Sequence, residues 1–201
     1  MKIARLAQLL LLFVLPTQAF CDEAGMLASG CDECHGLQGV SKVSDIPTIA
    51  GQPADYISAT LRAYQQWERP CVKTSFRSGD LSRPKTNMCK LSEVLTYQDI
   101  DALGDHYETQ EFIPANQPYD PAKAALGGDL HEINCETCHA MGGSVPARGP
   151  ILAGQWAPYL RTAITQALNG EHLVPPIMEK RLVEISKEDI EFLVNFYASQ
   201  Q

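Results

Sequence analysis

Cys31-Asp32-Glu33-Cys34-His35 recurs 104 residues later as Cys135-Glu136-Thr137-Cys138-His139. Two thiols separated by two residues and followed at once by histidine form the attachment signature of a c-type haem. The thiols add to the haem vinyl groups as thioethers, and the histidine is thereby placed under the iron as proximal ligand. Two other chemistries use paired cysteines. A structural zinc site needs two further thiol or imidazole ligands around each pair, and a thioredoxin-like dithiol belongs to a βαβ setting. Two copies, both ending in histidine, favour haem. The expectation is two covalently bound haem c groups, on Cys31 and Cys34 and on Cys135 and Cys138, with His35 and His139 as iron ligands.

Outward from these motifs the chain repeats one plan twice. Pro47-Thr48-Ile49-Ala50-Gly51-Gln52 recurs as Pro150-Ile151-Leu152-Ala153-Gly154-Gln155, and Tyr56 as Tyr159, both 103 residues on. Met88 recurs as Met178, and Thr96-Tyr97-Gln98-Asp99-Ile100 as Ser186-Lys187-Glu188-Asp189-Ile190, now 90 residues on. The first copy therefore carries 13 extra residues before Met88. Leu103 and Tyr107 pair with Leu193 and Tyr197. Such order over a whole chain marks an internal duplication.

The pattern inside each copy is helical. Tyr56, Ile57, Thr60, Leu61 and Tyr64 share one face at helical spacing. Thr96 and Ser186 are expected N-caps, each with aspartate three residues on in capping-box style. Ile100, Leu103 and Tyr107 then line one stripe, as do Ile190, Leu193 and Tyr197. A short helix is expected before each Cys-x-x-Cys-His. The fold class is all-α. Phe112 to Pro121, with three prolines, reads as an extended strap between the copies.

The second axial ligand must come from later in each copy. Met88 and Met178 each lie eight residues before a helix N-cap, and a neutral thioether favours Fe(II) and raises the potential. The alternative role is core filling. Met26 and Met141 sit too close to the haem motifs to reach the opposite face. His172 is the other candidate for the second haem, while His106 and His131 read as surface residues. Pro47 and Pro150 follow the ligand histidines by 12 and 11 residues. Their carbonyls are placed to accept the imidazole Nδ1–H and so fix the ring. Tyr56 and Tyr159, in the next helix, bound the haem edge or simply pack. Of the remaining cysteines, Cys71 and Cys89 form a disulfide or stay as two buried thiols; an oxidising compartment favours the bridge.

The first residues read as an address. Lys2 and Arg5 precede an apolar run over Leu6–Leu15, and Ala19 closes a small-residue site, so residues 1–19 are expected to be a secretory signal peptide. The run falls short of the roughly 20 residues that span a bilayer. Phe20 before Cys21 is too bulky for a lipoprotein site. Domains are expected over 20–115 and 116–201, in the periplasm. The 201-residue chain is 45% hydrophobic and 20% charged, which excludes disorder and coiled coil as its main class. Its net charge of −8, without a basic run, argues against nucleic-acid binding.

The order Cys-x-x-Cys-His, Pro-x-[Ile/Leu]-Ala-Gly-Gln, Tyr, Met, [Ser/Thr]-x-x-Asp-Ile resembles the dihaem cytochrome c4 family over essentially the whole mature chain. The second half is more similar still to the cytochrome subunit of flavocytochrome c sulfide dehydrogenase. That likeness rests on Ile151-Leu152-Ala153-Gly154-Gln155-Trp156-Ala157-Pro158-Tyr159-Leu160, on Met178-Glu179-Lys180, and on the tail Phe196-Tyr197-Ala198-Ser199-Gln200-Gln201. The resemblance implies two tandem class I cytochrome c domains related by pseudo-twofold symmetry. It implies a flavoprotein (FAD) subunit as electron donor and a soluble cytochrome or oxidase as acceptor. The chain lacks Gly-x-Gly-x-x-Gly, so it is not the flavin subunit. A freestanding c4-type carrier to a terminal oxidase is the alternative. A dihaem peroxidase would need an openable iron site, which two equivalent methionines oppose. The expectation is an electron-transfer protein, not an enzyme by itself.

Overall fold

The computed structural model describes residues 23–201; the expected signal peptide over 1–19 and Cys21 lie outside them. Regular structure among the described residues is helical, apart from one isolated antiparallel bridge between Thr74 and Thr86. In the first copy the helices are α1 (Glu23–His35), α2 (Ala54–Gln65), α3 (Met88–Glu93) and α4 (Tyr97–Glu108). The second repeats them as α5 (Pro121–Asn134), a one-turn α6 (Ala140–Gly143), α7 (Ala157–Leu168), α8 (Pro176–Leu182) and α9 (Lys187–Ser199). In the first copy the helix runs through the haem motif to His35, whereas α5 stops at Asn134, one residue short of Cys135.

Local chemistry starts the helices where the sequence predicts. Thr96 and Ser186 both form complete capping boxes: each hydroxyl accepts the backbone N–H of Asp99 or Asp189, whose carboxylate accepts the cap's own N–H. Asp120 caps α5, with Pro121 at the first turn.

Two apolar clusters follow the repeat. Ala28, Ile57, Leu61, Ile100, Leu103 and Tyr107 form the first, and Leu160, Ile190, Leu193, Val194 and Tyr197 with Ile185 form the second. Where α5 crosses α9 the backbones nearly touch, since a Cβ on Gly127 would fall 2.0 Å from the Phe192 carbonyl oxygen. Gly39 and Gly143 make the same close approach in the two copies. Both have positive φ, and both carbonyls accept two successive N–H groups, from Ile49 and Ala50 and from Leu152 and Ala153.

The two copies are joined by reciprocal bonds. The Gln155 side chain accepts from Thr48 N–H at 2.9 Å and donates to Thr48 O at 2.8 Å. The Gln52 side chain accepts from Ile151 N–H at 2.9 Å and donates to Ile151 O at 3.2 Å. Gln52 and Gln155 are repeat equivalents, as are Thr48 and Ile151, so the contact has the form of a twofold interface within one chain. All four residues are buried. The strap after α4 is held by Ala115 N–H to Gly154 O at 2.7 Å and by the buried Gln117, which donates to Gln155 O and accepts from Ala157 N–H.

The inserted segment of the first copy folds back over the haem motif. Arg77 and Ser78 N–H both donate to Glu33 O at 3.0 Å, and the Arg83 guanidinium reaches the Glu33 carboxylate at 2.6 Å. Cys71 and Cys89 are joined in a disulfide with Cα atoms 5.7 Å apart. The bridge ties this segment to α3 beside Met88.

Candidate haem sites

His35 ends α1 and His139 follows the turn after α5; both are buried. Each ring is oriented by one bond, Nδ1 to Pro47 O at 2.9 Å and Nδ1 to Pro150 O at 2.9 Å. A carbonyl can only accept, so Nδ1 carries the proton and Nε2 is the nitrogen left for iron. Burial lowers both imidazole pKa values, only partly offset by the proline carbonyls, and so favours the neutral, metal-binding form. Gly149 is needed beside the second ring: a Cβ there would lie 2.5 Å from His139 Cε1.

Cys31, Cys34, Cys135 and Cys138 are not joined in disulfides. Burial pushes the Cys31 thiol up to about 11 and raises Cys34 and Cys135 too. This is opposite to a redox dithiol, which works by stabilising a thiolate. Among the described residues no cluster of three or more His, Cys, Asp or Glu side chains is arranged to hold a metal ion by itself.

The residue after the first cysteine has a role that its acidity alone could have signalled. Asp32 accepts the N–H groups of Gln38 and Gly39, and Glu136 those of Met141 and Gly142. Gln38 and Met141 have positive φ, a strained backbone that each carboxylate holds in place. Tyr107 O–H reaches Asp32 directly at 2.9 Å. In the second copy His131 is interposed: Nε2–H donates to Glu136 at 2.8 Å and Nδ1 meets the Tyr197 hydroxyl at 2.9 Å. His131 is thus buried at 2% exposure rather than on the surface as the sequence suggested. The reason is that it sits on the face of α5 turned toward α9, with both ring nitrogens satisfied.

Met88 opens α3 and packs, half-buried, on the cluster that also touches Cys31. Met178 is half-buried on α8. His172 lies instead beside Arg69 of the first copy; burial and that guanidinium push its pKa down to about 4. Tyr56 lies close to both Tyr159 and Arg69, so the repeat-equivalent tyrosines meet across the interface. Arg69 is 5% exposed, its guanidinium stacks 4.9 Å from the Tyr64 ring, and its Nε has no hydrogen-bond partner. A buried guanidinium N–H without an acceptor is costly, and a haem propionate would satisfy it. The free cysteine pairs, the oriented imidazoles and this orphaned donor all fit haem.

No protein-family profile matches the chain. It is 26% identical over 199 residues to cytochrome c4 of Azotobacter vinelandii, covering 90% of this chain and 91% of that protein. The structure aligns with reduced recombinant cytochrome c4 of Pseudomonas stutzeri at a TM-score of 0.70 and 24% identity, covering 89% of this chain and 96% of the other. The chain is a dihaem c-type cytochrome similar in sequence and fold to the c4 family. It carries two covalent haem c groups and is an electron-transfer protein, not an enzyme by itself. A further relative, the thiosulfate dehydrogenase electron acceptor of Thiomonas intermedia, is 27% identical, covering 75% of this chain and 68% of that protein.

Proposed function

We propose that this c4-type cytochrome is a periplasmic one-electron carrier serving a dehydrogenase of reduced inorganic sulfur compounds. Residues 20–115 hold one haem, on Cys31 and Cys34 with His35 and Met88 as axial ligands. Residues 116–201 hold the other, on Cys135 and Cys138 with His139 and Met178. Residues 1–19 direct export. The observation that carries the reading is the paired bond from each motif histidine to its proline carbonyl, which orients both rings for iron. The haem supplies an iron centre that cycles between Fe(II) and Fe(III). The protein's part is to fix the ligands, bury the ring and set the potential. The relative that accepts electrons from thiosulfate dehydrogenase supports a sulfur-compound donor. Tyr56, Tyr159 and Arg69 hold propionates at the shared interface.

A second reading is the cytochrome subunit of a flavocytochrome c sulfide dehydrogenase, favoured by Leu152-Ala153-Gly154-Gln155-Trp156 and the Tyr197–Gln201 tail. The flavoprotein (FAD) subunit would then be the donor, and a soluble cytochrome or oxidase the acceptor in either case. Purification from the native host separates them. A stoichiometric flavin-containing partner supports the subunit; a flavin-free cytochrome reduced by a sulfur-compound dehydrogenase supports the carrier. Failure of either haem to change oxidation state with such a donor would contradict both.

A further inference from the structure

The carbonyl that orients each histidine belongs to a peptide whose other end is bound by the opposite copy. Pro47 C=O accepts His35 Nδ1–H, and the N–H of that same peptide, on Thr48, donates to Gln155 Oε1 at 2.9 Å. Pro150 C=O accepts His139 Nδ1–H, and the N–H of that peptide, on Ile151, donates to Gln52 Oε1 at 2.9 Å. Each chain of bonds therefore runs from a histidine through one peptide to a buried glutamine 120 or 87 residues away in sequence. The orientation of both side-chain amides is determined, because each also donates its Nε2–H to the carbonyl of the residue it accepts from. Hydrogen bonds in series polarise one another, and more so away from water.

We propose that Gln52 and Gln155 are positioning residues that tune the haem of the opposite domain. Gln155 draws on the Thr48 N–H and makes the Pro47 oxygen a stronger acceptor. His35 then has more imidazolate character, donates more strongly to iron and stabilises Fe(III). Gln52 does the same for His139. The potential of each haem is thus set partly across the interface, and the two domains need each other to hold their working potentials. The inference rests on His35 and His139 being the axial ligands.

The test uses the full dihaem protein with Gln155→Met and Gln52→Met, and spectroelectrochemistry with haem-methyl NMR signals to assign each midpoint. Gln155→Met should raise the midpoint of the haem on His35 by on the order of threefold in the oxidised-to-reduced ratio (about 30 mV at 59 mV per tenfold). The haem on His139 should move much less, and Gln52→Met should give the mirror result. Gln155→Glu keeps acceptor oxygens facing the Thr48 N–H while it removes the donor to Thr48 O and adds negative charge, so it should not raise that midpoint. The His35 Nδ1–H resonance should move upfield in the Met variant alone. Shifts confined to the mutated domain's own haem, equal shifts of both haems, or a rise in the Glu variant would overturn the proposal. If Gln155→Met fails to assemble, the Glu variant and Gln52→Met still decide. Failure of the ligand reading is separate: His35 and His139 ring protons of the unsubstituted ferrous protein would then lack the displacement that iron-bound imidazole shows.

Discussion

At the scale of single residues, the two methionines and the His131–Tyr197 contact carry the sharpest expectations. If Met88 and Met178 bind iron, Met88→Ala and Met178→Ala should each remove roughly half of the weak far-red absorption of the oxidised protein and lower one midpoint. Retention of the full band in both variants would remove them as ligands and leave His172 to be tested. Tyr197→Phe should destabilise the protein by about 1–3 kcal/mol in denaturant unfolding, because buried His131 Nδ1 loses its only partner on that side. An unchanged unfolding midpoint would mean that water replaces the hydroxyl. Both haem motifs and their prolines were legible in the sequence because each is a local pattern written twice. The inward placement of His131 was not legible: a lone histidine on a helix carries no sign of the tyrosine and glutamate that will meet it.

At the scale of elements, the insertion is the main departure from symmetry. Residues 69–90 contain six basic side chains and one acidic one, on a chain whose net charge is −8. Arg83 and the Arg77–Ser78 backbone close on Glu33 inside the first haem motif, and Arg77 also pairs with Asp45 at 2.7 Å. The second copy has no counterpart to this clamp in its sequence. Sequence spacing reveals the extra length and the cysteines that flank it, but not that the segment returns to the motif, since Glu33 lies 44 or more residues from its partners. Replacing both Cys71 and Cys89 by serine should cost about 3 kcal/mol of unfolding free energy for a loop of this size. If Met88 and Met178 bind iron, loss of the bridge should let added cyanide displace Met88 from the first haem more readily than Met178 from the second. Equal stability with and without the bridge would show that the clamp on Glu33 suffices. The capping boxes of α4 and α9 lay open to sequence reading because donor and acceptor are three residues apart.

At the scale of the whole molecule, the duplication supplies more than two redox centres. The repeated Ala-Gly-Gln places one glutamine of each copy on the proline segment of the other, so the interface is built from the same segments that orient the motif histidines. The repeat announces equivalent residues; only the folded chain shows that they meet in exchange, Gln52 with Ile151 and Gln155 with Thr48. Trp156 strengthens the joint by donating its indole N–H to Ser41 O at 3.1 Å. With a net charge of −8, association with any basic redox partner should slow as salt is raised. The central claim is that each half of this helical body is built around its own covalently attached porphyrin. Denaturing mass spectrometry of the purified protein tests it most directly. The account predicts the polypeptide mass plus two haem groups, with fragments placing one on Cys31–His35 and the other on Cys135–His139; a mass without haem, or with only one, would contradict it.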